Sequence, residues 1–189
     1  MVLAENINFA AAMRSSDLSH INLLKADGAG QMECTLDDGF FAALDQTEIT
    51  GGDVRATVEV RHLTGGLYRI TAKLSGKVQV ECDRCLDPLW LETNVQEEIK
   101  VRDSKANNAF HNGTRHDDAD GNAEDDCIEG DALDFDLSWP LYELVETSLP
   151  LQRTHAPEDC NPDMLGRIAT DESADDGEDE GYEDEDAEE

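Results

Sequence analysis

Apolar and polar residues alternate with a period of two through the middle of the chain. Val or Ala occupies every even position from 54 to 60, with polar residues between, so one face of a strand meets a core and the other meets water. After the turn Thr64-Gly65-Gly66, a second alternation keeps the same parity from Tyr68 to Cys82. We predict a hairpin whose long second strand bends or bulges at Gly76.

The pattern then changes parity and, later, period. Apolar residues at 89, 91, 95, 99 and 101 predict a third strand, separated from the second by the segment Asp83 to Pro88. Between Leu133 and Leu149 the apolar residues recur at helical spacing, which predicts an amphipathic helix that is capped by Asp136 or Ser138 and ends before Pro150. A shorter helix is expected from Leu36 to Leu44. The predicted fold class is α+β, an antiparallel β-meander packed with one or two helices.

Two segments have too few apolar residues to fold. Residues 103–131 are rich in Asp, Asn, Gly and Ala, which indicates a disordered acidic insertion in a surface loop. From Ile168 to the last residue, Glu189, the chain is an acidic tail for which we also expect disorder. The remainder is of a size for one domain, so we assign residues 1–167 to a single domain.

The charge balance restricts the partners. The chain has 14 Lys and Arg against 45 Asp and Glu, a net charge of −31. The negative electrostatic field of this charge repels the phosphate backbones of nucleic acids at long range and attracts cations. A basic protein is therefore the expected direct partner. The tail is a solubilising extension, or a decoy that holds Lys- and Arg-rich surfaces until RNA displaces them.

Other features predict a cytoplasmic protein with reduced thiols. No apolar stretch approaches the roughly 20 residues of a membrane span, and the first residues lack the basic region of a signal peptide. The five cysteines are an odd number, which argues against a disulfide framework. Reduced thiols are available to a metal.

The segment Cys82-Asp83-Arg84-Cys85 places two thiols three residues apart at the predicted hairpin tip. This is the spacing of a metal knuckle, in which turn amides also donate to sulfur. His155 and Cys160 follow in a Pro-flanked segment, so four soft ligands can converge if hairpin and segment meet. Four protein ligands make a closed site, and we predict a structural zinc. The plain alternative is that Cys82 continues the apolar strand face and Cys85 is an incidental turn residue.

An enzymatic use of the same cysteines is a competing hypothesis. Arg84 between the thiols would favour thiolate, as in a redox dithiol, but that chemistry places the first Cys at the start of a helix, and here a strand follows. Phosphate-binding loops, nucleophile elbows and paired-His protease motifs do not occur in the sequence. The prediction is that the protein is not an enzyme.

These residues resemble the bacterial YceD family of large ribosomal RNA subunit accumulation proteins. The likeness runs from Gly51 to Met164 and is carried by the following residues: Gly76-Lys77-Val78, Cys82 to Leu86, Glu143, Leu149-Pro150, His155 and Cys160. It implies a non-enzymatic role in accumulation of the large-subunit (23S) ribosomal RNA, in a family often encoded beside a small large-subunit ribosomal protein.

Together these inferences predict an assembly factor whose sheet and C-terminal segment are joined by a zinc ion. The factor binds a basic ribosomal protein or another assembly factor of the large subunit. Arg84 and Glu143 are the candidate partner-binding residues, and any contact with RNA is indirect or uncertain. Two alternatives stay open: a thiol or metal-dependent enzyme, and an acidic chaperone for basic proteins that acts through residues 171–189.

Overall fold

The computed structural model describes residues 11–106 and 127–171, with side chains from 13 to 106 and from 127 to 166. Six strands form one sheet: β1 (Ala11–Ala12), β2 (Gln31–Asp37), β3 (Gly51–His62), β4 (Leu67–Glu81), β5 (Pro88–Asp103) and β6 (Ile128–Gly130). The α-helices are α1 (Leu23–Ala26), α2 (Asp38–Ala43), α3 (Ser138–Ser148) and α4 (Pro162–Asp171). Two 3-10 helices span Ser15–His20 and Pro157–Asp159.

The strands lie in the sheet in chain order. β2 to β5 pair antiparallel, and the short edge strands β1 and β6 pair parallel with β2 and β5. The predicted antiparallel meander packed with helices is confirmed. A parallel pair of strands needs a long connection rather than a tight turn, and both β1 with β2 and β5 with β6 are separated by many residues in the chain.

One face of the sheet carries the core. The even positions of β3 and β4 are buried, with Val54, Val58, Ile70 and Leu74 fully inaccessible. The helices cover this face, and α3 contributes Leu141, Tyr142 and Val145 to it. The odd positions of the same strands face solvent, as the period of two requires.

We predicted that β4 bends or bulges at Gly76, but the strand has no bulge there, because it pairs in continuous register with both β3 and β5. The reason for glycine at this position is instead steric. Gly76 lies opposite Val54, and a Cβ placed on Gly76 would come within 2.2 Å of the Asp53 carbonyl oxygen. The two strands therefore approach each other more closely here than any side chain allows. Glycine at this position lets β4 remain paired with β3 along its whole length.

The structure shortens the predicted insertion. Asp103 ends β5, and residues 128–130 form β6, so both ends of the expected insertion belong to the sheet. The helix predicted within Leu133 to Leu149 spans Ser138–Ser148, which agrees with a cap at Asp136 or Ser138. Before it, Phe135 exchanges two backbone hydrogen bonds with Ile21 (2.9 Å each). Asp136 accepts a hydrogen bond from the Ser138 amide, as a residue at a helix start does.

Some expectations concern residues that are not described. The central part of the acidic insertion, residues 107–126, lies outside the described residues, and so does the expected tail from 172 onward. The first residues of that expected tail, 168–171, belong to α4. Within the ranges that are described, no helix is both long enough and apolar enough to cross a membrane.

Candidate metal centre

The first half of the site is the loop that joins β4 to β5. The Cys82 amide donates to the Asp87 carbonyl (3.0 Å) and the Leu86 amide donates to the Cys82 carbonyl (2.9 Å), which closes a tight turn around the two cysteines. Leu86 adopts a left-handed conformation with φ of +61°. The loop therefore has a fixed shape that turns both thiols inward, where Cys82 and Cys85 are buried.

The second half is the segment that follows α3. Pro150 prevents the helix from continuing, and the chain then runs along the hairpin loop to Cys160 and α4. The Asp83 amide donates to the Arg153 carbonyl (2.8 Å), and the Arg153 amide donates to the Asp83 carboxylate (2.6 Å). This reciprocal pair holds the segment in register with the hairpin loop.

The structure brings together the four residues that the sequence singled out. One donor atom from each of Cys82, Cys85, His155 and Cys160 lies within 4.8 Å of the other three. The Cys85 Sγ and His155 Nδ1 atoms are 3.5 Å apart. Two donors of a tetrahedral zinc with bonds of about 2.3 and 2.05 Å are separated by roughly 3.6 Å, so this edge of the cluster already has the size that the ion needs.

The histidine ring is oriented by a carbonyl group behind it. His155 Nε2 lies 3.2 Å from the Pro88 carbonyl oxygen, which can only accept a hydrogen bond. The Nε2 atom therefore carries the proton in the neutral ring, and the Nδ1 lone pair faces the three sulfur atoms. Metal-binding histidines in proteins are commonly held in this way through their second nitrogen.

The electrostatics of the cluster favour a thiolate at Cys82. Burial opposes ionisation of this thiol, but the backbone amides of His155, Arg84 and Cys85 donate to its sulfur and lower its pKa to about 6. The pKa of Cys160 is raised to about 11, first by burial and then by hydrogen bonds with Cys85 and Cys82. The pKa of His155 is raised mainly by its hydrogen bond with Cys85, with burial acting in the opposite direction.

The cluster is closed to solvent on its sulfur side. Cys82, Cys85 and Cys160 form a small second core with partly buried Leu89, Met164 and Leu165, so α4 covers the sulfur atoms. All five cysteines of the chain are free thiols. Three thiols and an imidazole are the donor set of Cys₃His zinc sites, and this cluster could hold a metal.

A comparison with models of known protein families shows which family the chain belongs to. The family model described as large ribosomal RNA subunit accumulation protein YceD matches residues 70–188. The chain belongs to the YceD family. The match begins at Ile70 in β4 and includes both halves of the cysteine and histidine cluster. Neither the curated proteins nor the solved structures include a match to this chain.

The two candidate partner-binding residues of this YceD family member have different surroundings. Arg84 donates to the carbonyl of His155 (2.6 Å), so its guanidinium points at the C-terminal segment and braces it. Glu143 is exposed on α3. Sequence reasoning missed Asp83, Arg153 and the Pro88 carbonyl, which position the ligands. Asp83 could have been suspected from the sequence because it lies between the two cysteines. No neighbouring residue in the sequence indicates a role for Arg153.

Proposed function

We propose that this YceD family member is a non-enzymatic factor for the accumulation of large-subunit (23S) ribosomal RNA and for large ribosomal subunit assembly. The observation that carries the proposal is the family match over residues 70–188, which spans the hairpin loop, α3 and the C-terminal segment. In this proposal a structural zinc joins the hairpin loop to the C-terminal segment, and the protein acts through a basic protein partner.

The zinc assignment is supported by the number and burial of the donors. Four protein ligands fill a tetrahedral shell and leave no position for a substrate or a reactive water, which is typical of a structural zinc. The three cysteines are at most 5% exposed. A structural zinc of this kind contributes directly to folding, because the ligands are brought together only in the folded chain.

The proposed biological role is tested in cells that lack the protein. We expect a reduced ratio of large-subunit to small-subunit ribosomal RNA and a deficit of free and assembled large subunits on sucrose gradients. The native chain should restore both, and Cys82→Ser/Cys160→Ser should not. An unchanged ratio in the depleted cells would remove the role in accumulation.

The basic partner is tested by affinity capture from the same cells. At low salt we expect basic large-subunit proteins or assembly factors to be enriched, and a charge-driven contact should weaken as salt rises. Glu143→Lys probes the candidate contact on α3, because it reverses an exposed charge without touching the core. Truncation after 170 tests the acidic chaperone alternative, which requires the tail.

One observation favours the enzyme alternative. The pKa of Cys82 is lowered to about 6, because backbone amide donors outweigh the cost of burial, and this places a thiolate in the cluster near neutral pH. The Cys82 side chain is, however, fully buried, so a substrate does not reach its sulfur. Fast reaction of one thiol with a small electrophile in the metal-loaded protein would support the enzyme instead.

A further inference from the structure

The surface around the metal centre exposes two leucine side chains. Leu86 of the hairpin loop is 57% exposed, and Leu151, which follows α3, is fully exposed. We call the exposed side chains of residues 81–88 and 151–166 the knuckle surface. Single exposed leucines are ordinary on protein surfaces, but these two lie on the two segments that the cysteine and histidine cluster joins.

The two leucines lie near each other although they are far apart in the chain. The Leu86 amide donates to the Cys82 carbonyl, so Leu86 lies within one turn of Asp83. Asp83 is bonded to Arg153 by the reciprocal pair, and Leu151 precedes Arg153 by two residues. With about 3.5 Å per residue of extended chain, the two leucine Cα atoms are at most roughly 20 Å apart. One protein interface of ordinary size, about 800 Å² on each partner, covers both.

Leu86 occupies a backbone position that favours glycine. Its φ of +61° lies in the left-handed region, where the Cβ of an ordinary residue is crowded by its own backbone. The tight turn around Cys82 and Cys85 sets this conformation, and glycine would adopt it without strain. More than half of the Leu86 side chain is exposed, so its packing is incomplete as well. Neither the backbone nor the core therefore explains a leucine at this position.

The charges of the knuckle surface are mostly negative. Its two cations are bound by the chain itself: Arg84 donates to the His155 carbonyl at 2.6 Å, and Arg153 donates to the Glu48 carboxylate at 3.0 Å. The same two segments contain six carboxylates: Glu81, Asp83, Asp87, Glu158, Asp159 and Asp163. Residues 167–171 add one Arg and one Asp in the sequence, which leaves the balance unchanged. Six carboxylates against two cations give this surface a negative charge, to which Glu48 adds.

The adjoining part of the sheet does not reverse this sign. Lys77 is its nearest cation along β4, and Asp53 and Glu92 lie opposite it in the register. The Lys77 ammonium group lies 5.0 Å from the centre of the Trp90 ring. One cation is therefore matched there by two carboxylates.

A cavity of about 210 Å³ opens beside Leu86. Three acidic residues, Glu48, Glu81 and Asp83, line it together with Arg153. Three carboxylates against one guanidinium favour a cationic group from outside the chain. A basic side chain and an apolar side chain of one partner can therefore bind side by side here.

We propose that the knuckle surface binds a Lys- and Arg-rich protein, with Leu86 and Leu151 as apolar anchors and the surrounding carboxylates as the rim. Protein interfaces combine an apolar centre with a polar rim, and charge of the opposite sign selects the partner. Phosphate backbones have the wrong sign, and so does a second copy of this chain, whose net charge is −31. The inference rests on the proposed function, because it assigns a surface to the basic partner.

The probe is the set of proteins extracted from purified large ribosomal subunits and freed of RNA. The immobilised full chain, purified under reducing conditions, should retain one or a few of them at physiological salt, and titration then gives the affinity of the retained protein. Leu86→Gly/Leu151→Ser should weaken that affinity about tenfold, as loss of interface anchors does. Leu24→Ser/Leu133→Ser, which removes two half-exposed leucines elsewhere, should change it less than twofold.

Both leucine pairs leave the net charge unchanged, so general attraction between an acidic chain and basic proteins is the same in each variant. Leu86→Gly should keep the zinc content and the urea midpoint of the native chain, because glycine is unstrained at this position. A loss of binding is then not a loss of folding. The rim is tested by Glu81→Gln/Glu158→Gln, which should slow association more than the equally charged control Glu33→Gln/Glu129→Gln.

Three results would overturn the proposal. These are retention of no large-subunit protein, equal losses of affinity in the two leucine pairs, and a dimer of this chain that Leu86→Gly/Leu151→Ser abolishes in sedimentation, which would assign the surface to a second copy. The assay uses purified components, so none of these results changes the ratio of ribosomal RNAs in depleted cells. The accumulation role is judged by that ratio, and failure of one inference is distinguishable from failure of the other.

Discussion

Asp83 and Arg153 hold each other by two backbone-directed hydrogen bonds although 70 positions separate them in the chain. The Asp83 amide donates to the Arg153 carbonyl at 2.8 Å, and the Arg153 amide donates to the Asp83 carboxylate at 2.6 Å. Arg153 also donates to Glu48 at 3.0 Å. The pair fixes the C-terminal segment against the hairpin loop, so that His155 and Cys160 reach the two knuckle cysteines.

Removal of Asp83 should loosen the site without removing a ligand. We expect Asp83→Ala to weaken zinc affinity about 10- to 100-fold, the usual cost of losing a group that positions metal ligands. Affinity is measured by competition with a chromophoric chelator. Asp53→Ala, an exposed carboxylate on β3, is the control and should leave affinity unchanged; equal effects of the two changes would refute a positioning role for Asp83.

Substitution of a ligand should remove the metal and lower stability. Purified under reducing conditions, the native protein should contain one zinc per chain, and Cys82→Ser or Cys160→Ser should retain little. The control is Cys34→Ala, which removes another buried thiol that lies in the main core rather than in the cluster. Elemental analysis gives the metal content and urea denaturation the stability. Full zinc content in both ligand variants would show that the cluster is not the binding site.

Metal removal should loosen one part of the chain selectively. A strong chelator is expected to raise amide hydrogen exchange in residues 82–88 and 151–166, because without the ion these segments are joined only by a few hydrogen bonds and one small apolar cluster. Exchange in the paired centres of β3 and β4 should stay slow. A uniform rise along the chain would mean that the metal supports the whole fold instead.

Cys34 should make the protein less stable in alkali. Burial raises the pKa of this thiol to about 11 from an ordinary value of 9.0, so between these pH values the unfolded chain has lost a proton that the folded chain keeps. The free energy of unfolding should therefore fall as pH rises from about 9 to about 11, by on the order of 2 kcal/mol from this group. Urea denaturation over this range should show a shallower fall for Cys34→Ala. Parallel curves for the two proteins would contradict the assignment.

Gly76 should be intolerant of any side chain. We expect Gly76→Ala to cost about 2 kcal/mol or more, because its Cβ would collide with the Asp53 carbonyl, 2.2 Å away. Gly166→Ala is the matched control: it adds the same methyl group in α4, where nothing lies within 4 Å. Thermal unfolding compares the two. A neutral Gly76→Ala would mean that the strands separate there at little cost.

Local patterns predicted most of the sheet. The even parity from Val54 to Val60 and from Tyr68 to Cys82 identified β3 and β4, and the change of parity after Cys85 identified β5. Strands of this kind are readable because burial of one face imposes a period of two on the sequence. The cap residues Asp136 and Ser138 identified the start of α3, whereas the pairing of Phe135 with Ile21 is a long-range contact that no local period reports.

The sequence by itself determined the meander, the knuckle spacing of Cys82 and Cys85, and the list of four soft donors, because each is a local property of residue type and period. The tertiary structure decided that the donors share one place. Their convergence depends on Asp83 with Arg153 and on His155 with the Pro88 carbonyl, contacts between segments about 70 residues apart. It also decided that Leu86 and Leu151 belong to one surface, because the same contacts between distant segments make them neighbours and are not visible along the chain.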